Sequence, residues 1–160
     1  MLALYLCMHY PDPGDSPESN HARERCIRRA RRPVAAGIDP MSRWEVEGTD
    51  QFVAWYAQLD LEERRAIFAA MEVLEAEGPN LGRPLVDTLK GSRHAHMKEL
   101  RPPASNIRIL FAFDPRRTAI LLIGGDKTNR WREWYTRMIP VADDLYEEYL
   151  RELTEEGLLP

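Results

Sequence analysis

Apolar and polar positions repeat along this chain with two different periods, and the switches between them outline its elements. Trp44-Glu45-Val46-Glu47 alternates, which predicts a half-buried edge strand. Thr49 stands where a helix N-cap belongs, and Phe52, Val53, Tyr56 and Leu59 follow at helical spacing. A second helix is predicted over 61–77, with Ile67, Met71 and Leu74 on one stripe and Gly78-Pro79 as its stop. Joined so closely, the two form a helix hairpin. Residues 81–90 read as a connector. Three strand-like runs follow, at 97–101, 107–113 and 118–123, with Asp114-Pro115-Arg116-Arg117 as a tight turn between the last two. Pro140 can open a final helix reaching about residue 155, with Val141, Leu145 and Tyr146 on its apolar side and Asp143 and Asp144 outside. The expectation is an α+β domain: an N-terminal strand and helix hairpin packed on an antiparallel meander, with a C-terminal helix.

Composition narrows this picture. At 160 residues and 44% hydrophobic, the chain can bury one ordinary core. No apolar run approaches the roughly 20 residues of a membrane helix, and the short apolar opening lacks the basic start of a signal peptide. A cytoplasmic protein with no membrane partner is the expectation. Both cysteines, Cys7 and Cys26, precede residue 41, which argues against a disulfide framework or a cysteine-held zinc in the main domain. Residues 1–40 also hold five of the twelve prolines and six arginines between Arg23 and Arg32. They read as a poorly ordered leader, with Met41 as an alternative start and 41–160 as the working domain. A basic arm for nucleic acid is the competing reading of that leader.

Charge points to where function sits. Residues 91–137 carry ten Lys/Arg against four Asp/Glu, while the remainder carries twelve against twenty-two. Such an excess within an acidic chain marks the place for a polyanion. Strand parity sorts the side chains: Ile107, Ile109, Phe111 and Phe113 face the helices, and Arg108 faces away. With Leu100 turned to the core, Glu99 and Arg101 join Arg108 on a side predicted to be uncovered. Lys127, Arg130, Trp131, Arg132 and Tyr135 follow the last strand, and Arg93, His94 and His96 precede the first, which itself carries Lys98. Cations interleaved with rings suit single-stranded RNA. The competing reading is a solvated surface with half-buried tryptophans. The Gly124-Gly125-Asp126-Lys127-Thr128 segment lacks the glycine spacing of a nucleotide P-loop, and His94-x-His96 has no third ligand fixed by spacing, so neither a cofactor nor a metal is expected.

Leu89-Lys90-Gly91-Ser92-Arg93-His94, Met97-Lys98-Glu99-Leu100-Arg101, Arg108 through Asp114, and Gly125-Asp126-Lys127 together resemble the RelE/ParE toxin superfamily, most of all its phage-derived, HigB-like branch. The resemblance spans about 44–150. It implies the RelE-like fold and the toxin half of a bacterial type II toxin–antitoxin pair: a metal-free endoribonuclease that cuts mRNA, usually on the ribosome. It implies a cognate antitoxin, a small helix-turn-helix protein through which alone the toxin reaches operator DNA. By that resemblance the site falls on Glu99, Arg101, Arg108, Lys127 and Tyr135. Two departures stand out: Glu99 where RelE commonly has lysine, and Thr128 where the branch often has arginine. Cleavage through the RNA's own 2′-hydroxyl needs a base, cations for the phosphorane and an acid for the leaving oxygen. Arg101, Arg108 and Lys127 would stabilise charge, and Glu99, a histidine or Tyr135 would be the base. A tyrosine base requires the neighbouring cations to lower its ordinary value of about 10. The alternatives are a ParE-like gyrase poison acting by binding, and a catalytically inactive regulatory module.

Overall fold

The computed structural model describes residues 43–126, 128 and 131–159, so the 1–40 leader, Lys127 and Arg130 lie outside the described residues. Strand β1 (Glu45–Gly48) leads into helix α1 (Asp50–Tyr56), whose N-cap Thr49 accepts from the Phe52 amide as its sequence position requires. Helix α2 (Leu61–Glu77) opens on a capping box, with Asp60 accepting from the Glu63 amide and Glu63 reaching back to the Asp60 amide. It ends at Gly78, whose positive φ of 55° is one that glycine, lacking a Cβ, adopts without strain.

Among the described residues the sheet has five strands: the expected antiparallel meander of three and the expected N-terminal edge strand, with one further strand on the opposite edge. Its order is β1-β5-β4-β3-β2, with β2 Val86–Thr88, β3 Lys98–Leu100, β4 Ile107–Phe113 and β5 Thr118–Asp126. Strand β1 runs parallel to β5, and every other pairing is antiparallel. The supposed connector thus contains edge strand β2, too short at three residues to declare a period. Strand β5 runs on through Gly124-Gly125-Asp126, beyond the expected end at 123.

Helix α3 (Trp131–Glu155) corrects a second expectation: it starts nine residues before Pro140, which sits inside it. An interior proline costs about 3 kcal/mol. Trp134, Tyr135, Met138 and Ile139 continue the apolar stripe of Ala142, Leu145 and Tyr146, and all pack together, so burial outweighs that cost.

Two cores result, one on each face of the sheet. Phe52, Tyr56, Ile67, Met71 and Leu74 of α1 and α2 cover Ile107, Ile109, Phe111 and Leu121, as strand parity predicts. The opposite face, expected to be open, is covered by α3: Leu110, Ala112, Ile120 and Leu122 lie under Ala142, Leu145 and Tyr146. A bulge on β5 helps build that second layer. Leu110 pairs with Ile123 and Phe111 with Leu121, so the extra residue puts both Leu122 and Ile123 among the α3-facing side chains. None of the described helices is long and apolar enough to cross a membrane.

Candidate active site

Pairing across β2, β3 and β4 builds the site. Glu99 lies opposite Leu110 on one side and Asp87 on the other, so all three share the α3 face. Arg108, two residues before Leu110, shares it too, and Arg101 follows at the end of β3. Glu99 is the hub, only 3% exposed. Its Oε1 accepts from Arg101 Nε at 2.6 Å and lies 3.7 Å from Arg108 Nε. Its Oε2 accepts from the Tyr135 hydroxyl, delivered by the second turn of α3. Arg101 also reaches Asp87 Oδ2 at 2.8 Å. The structure therefore brings Glu99, Arg101, Arg108 and Tyr135 together, and it adds Asp87, which the sequence reading missed. Reading 86–88 as a strand antiparallel to 98–100 would have placed Asp87 opposite Glu99.

The approach of α3 depends on Gly125. It lies opposite Arg108, and a Cβ there would overlap the Trp134 indole. Gly124 does the same for Trp55 on the other face. The glycine pair is thus a place where two tryptophans press on one strand from both sides, one of them beside Tyr135.

Two expected roles change. A base role for Tyr135 requires the arginines to acidify its hydroxyl. Burial, reinforced by the hydrogen bond to Glu99 and by its charge, instead pushes the phenol well above its ordinary value, and the pull of Arg108 and Arg101 does not offset them. Tyr135 stays protonated and donates. Arg108 was expected to project onto open surface, and its side chain is only 13% exposed. Its Nη1 donates to the Ile107 carbonyl at 2.6 Å, and its buried Nε has no hydrogen-bond partner. It supports Glu99 from beneath. Replacing it with alanine would weaken the pairing of a buried carboxylate, a change on the order of 3 kcal/mol rather than the fraction expected of an exposed arginine.

A groove of about 310 Å³ opens onto this cluster, lined by Glu99, Arg101, Tyr135, Trp131, Lys90 and Ile139 among others. Trp131 is 53% exposed and carries the Arg132 guanidinium 5.2 Å from its ring. The other expected RNA contacts divide. Arg93 is bound to α3 by Asp144 Oδ1 at 2.7 Å and Glu147 Oε1 at 2.9 Å. Its backbone amide and the Ser92 hydroxyl donate to Asp143, which is buried rather than outside as expected because it anchors this loop. His94 packs edge-on against Tyr146 at 5.1 Å, with Nε2 3.3 Å from Glu147. His96 is exposed, and Lys98, opposite Phe111, is turned to the sheet face away from Glu99. The local cationic excess is therefore no single patch: Arg93, Arg101, Arg108 and Arg116 each have carboxylates at hand.

With this geometry in view, the chain's relatives place it. Residues 54–147 match the family of phage-derived Gp49-like proteins (DUF891), and the chain belongs to that family. It is 51% identical over 109 residues to HigB2 of Mycobacterium tuberculosis, named as a candidate toxin, across 66% of this chain and 54% of HigB2. It thus spans about half of that relative's length. HigB3 of the same organism, also named as a candidate toxin, is 49% identical over 100 residues, covering 62% of this chain and 88% of HigB3. Among solved structures, the isolated E. coli RelE toxin superposes with a TM-score of 0.45 at 11% identity, over 59% of this chain and 98% of RelE. The archaeal RelE–RelB complex from Pyrococcus horikoshii gives 0.45 at 17% identity, over 54% of this chain and 97% of that one.

Proposed function

We propose that this chain is the toxin of a type II toxin–antitoxin pair and that it cleaves mRNA, on the ribosome, without a metal. The observation carrying this reading is the Glu99 hub: one carboxylate held by a tyrosine hydroxyl and a guanidinium at the edge of a groove that also presents an exposed tryptophan. In the reaction, the 2′-hydroxyl attacks the adjacent phosphorus while its proton passes to Glu99, whose oxygens each keep a lone pair beyond the one engaged. The P–O5′ bond breaks as the P–O2′ bond forms, leaving a 2′,3′-cyclic phosphate and a 5′-hydroxyl. Arg101 faces the extra negative charge of the phosphorane. This reading assigns Tyr135, kept protonated by its surroundings, as the acid for the departing oxygen, its hydroxyl turning from Glu99 to the substrate to donate. Trp131 and Arg132 provide a stacking platform for a flanking base, and Lys90 a contact for a flanking phosphate. The Glu99, Arg101 and Tyr135 positions all lie within the Gp49-like match. The partner this reading implies is a cognate antitoxin, and the compartment is the cytoplasm.

The test is induction of the full chain in bacteria, with transcript ends mapped by sequencing. Growth arrest with new 5′-hydroxyl ends inside translated codons is the expected result, abolished by Arg101→Ala. Intact transcripts with broken DNA would transfer the case to a gyrase poison, and no arrest at all would favour an inactive binding module.

A further inference from the structure

At the sheet edge opposite β2, the second half of α3 closes a separate cavity of about 160 Å³. Its apolar lining comes from Ile120, Leu145, Leu153 and Leu158, and its charged lining among the described residues is five carboxylates (Glu47, Asp50, Glu148, Glu152 and Glu156) and one cation, Arg116. Nothing in the cleavage mechanism uses these residues.

Arg116 is already engaged. Its Nε donates to Asp114 Oδ2 at 2.9 Å and its Nη2 to the Tyr149 hydroxyl at 2.5 Å. It comes no nearer than 3.8 Å to Glu47 Oε2, within ion-pair reach but too far for a hydrogen bond. Glu47 is 9% exposed, and its inaccessible Oε2 has no hydrogen-bond partner among the described residues. A buried carboxylate with an unused acceptor is costly, and such positions are ordinarily matched by a donor. Burial accordingly raises the Glu47 carboxyl above its usual range, with Arg116 pulling it back in part. The C-terminal end of α3, whose last turn holds no basic residue, adds the negative pole of a long helix beside the cavity.

We infer that this cavity is a docking point for a protein partner, which inserts a single lysine or arginine side chain flanked by apolar residues. The cationic head meets Glu47 and the acidic rim, and the methylene stem lies on Ile120, Leu145 and Leu153. Charge complementarity selects this occupant: five carboxylates repel a nucleic acid, and the apolar floor needs a stem that a bare metal ion lacks. The inference is independent of the endonuclease reading, because the cavity shares no lining residue with the Glu99 groove.

The probe is an end-capped pentapeptide with one lysine between two leucines, and its control carries norleucine in place of lysine. Methyl NMR on the full chain should show Ile120, Leu145 and Leu153 shifting with the lysine peptide, at an affinity about tenfold above the control. Glu47→Gln should erase that preference. If this variant folds poorly, Glu152→Gln on the rim should reduce it in the same direction. Equal binding of both peptides, an undiminished preference in a folded Glu47→Gln chain, or shifts confined to the Glu99 groove would each overturn the proposal.

Discussion

Two clusters hang from α3, fourteen residues apart, and they use the same three side-chain types. Near the first turns, Tyr135 donates to Glu99, which Arg101 and Arg108 hold. Four turns later, Tyr149 donates to Asp114 at 2.9 Å, which Arg116 holds. Burial drives both phenols above the ordinary tyrosine value in the same way. The clusters differ in what the carboxylate is for. Asp114 also accepts the amides of Arg116 and Thr118, each at 2.9 Å, so it is spent on the β4–β5 turn and no solvent reaches its side chain. Among the described residues Glu99 accepts no backbone donor, and it borders a groove. A tyrosine–carboxylate–arginine constellation is therefore ambiguous by composition, and the backbone bonds to the carboxylate tell a structural clamp from a site able to act on a ligand.

The sharpest way to break this comparison is to remove both carboxylates in turn. Asp114→Ala leaves two amides, a guanidinium and a phenol without their acceptor, and should cost about 3–5 kcal/mol of unfolding free energy by denaturant titration. If it unfolds no more easily than Glu99→Gln, the distinction between clamp and site fails. Next in size is Arg101→Ala, which should lower RNA cleavage by about 10²–10³ and, because Arg101 is the nearer partner of the buried Glu99 carboxylate, cost about 3 kcal/mol of stability. Cleavage assays and thermal melts on the same sample decide whether those two effects separate.

The sequence carried unequal amounts of this. Strand parity around Ile107, Ile109 and Phe111 placed Glu99, Arg101 and Arg108 on one face, because β4 is long enough for its alternation to be unambiguous. Parity says which way a side chain points, and it is silent on what lies above it. For that reason the α3 cover over Leu110 and Arg108 was illegible, as was the Tyr135 hydrogen bond that depends on it. Pro140 misled for a physical reason: its preference for a helix start is a local propensity, whereas the Trp134 to Ile139 stripe wins through long-range packing. Strand β2 offered three residues and no period. The Gly124-Gly125 pair fell beyond the expected strand end because its true cause, an indole on each face, lies in Trp55 and Trp134, far away in sequence.

That pair supplies the next test. Gly125→Ala should push Trp134 off the strand and cost about 1–3 kcal/mol, as overpacking does. The displaced indole drags on neighbouring Tyr135, so cleavage should fall as well, while the Asp114 clamp and the lysine-peptide preference stay intact. Indole fluorescence, melting temperature and peptide affinity read the three parts separately. A variant that loses the peptide preference along with cleavage would mean that the two ends of α3 are coupled and cannot be compared as independent sites.

The smallest effect is the most discriminating about charge. Because burial raises the Glu47 carboxyl, its ionised form is the disfavoured one in the folded chain. The sign follows from linkage: the favourable state is fully present below the ordinary carboxylate range, where folded and unfolded chains both hold the proton. It is lost as pH climbs from there through the higher folded value. An ionised, incompletely paired Glu47 is what the folded chain disfavours, so Glu47→Gln should raise stability by about 1 kcal/mol at pH 7. At pH 4 that advantage should shrink toward zero. Melting curves of the two proteins across this interval make the comparison. A Glu47→Gln chain that is less stable at pH 7 would show that the 3.8 Å pair with Arg116 holds the β1 edge after all, and that the cavity needs no partner to satisfy it.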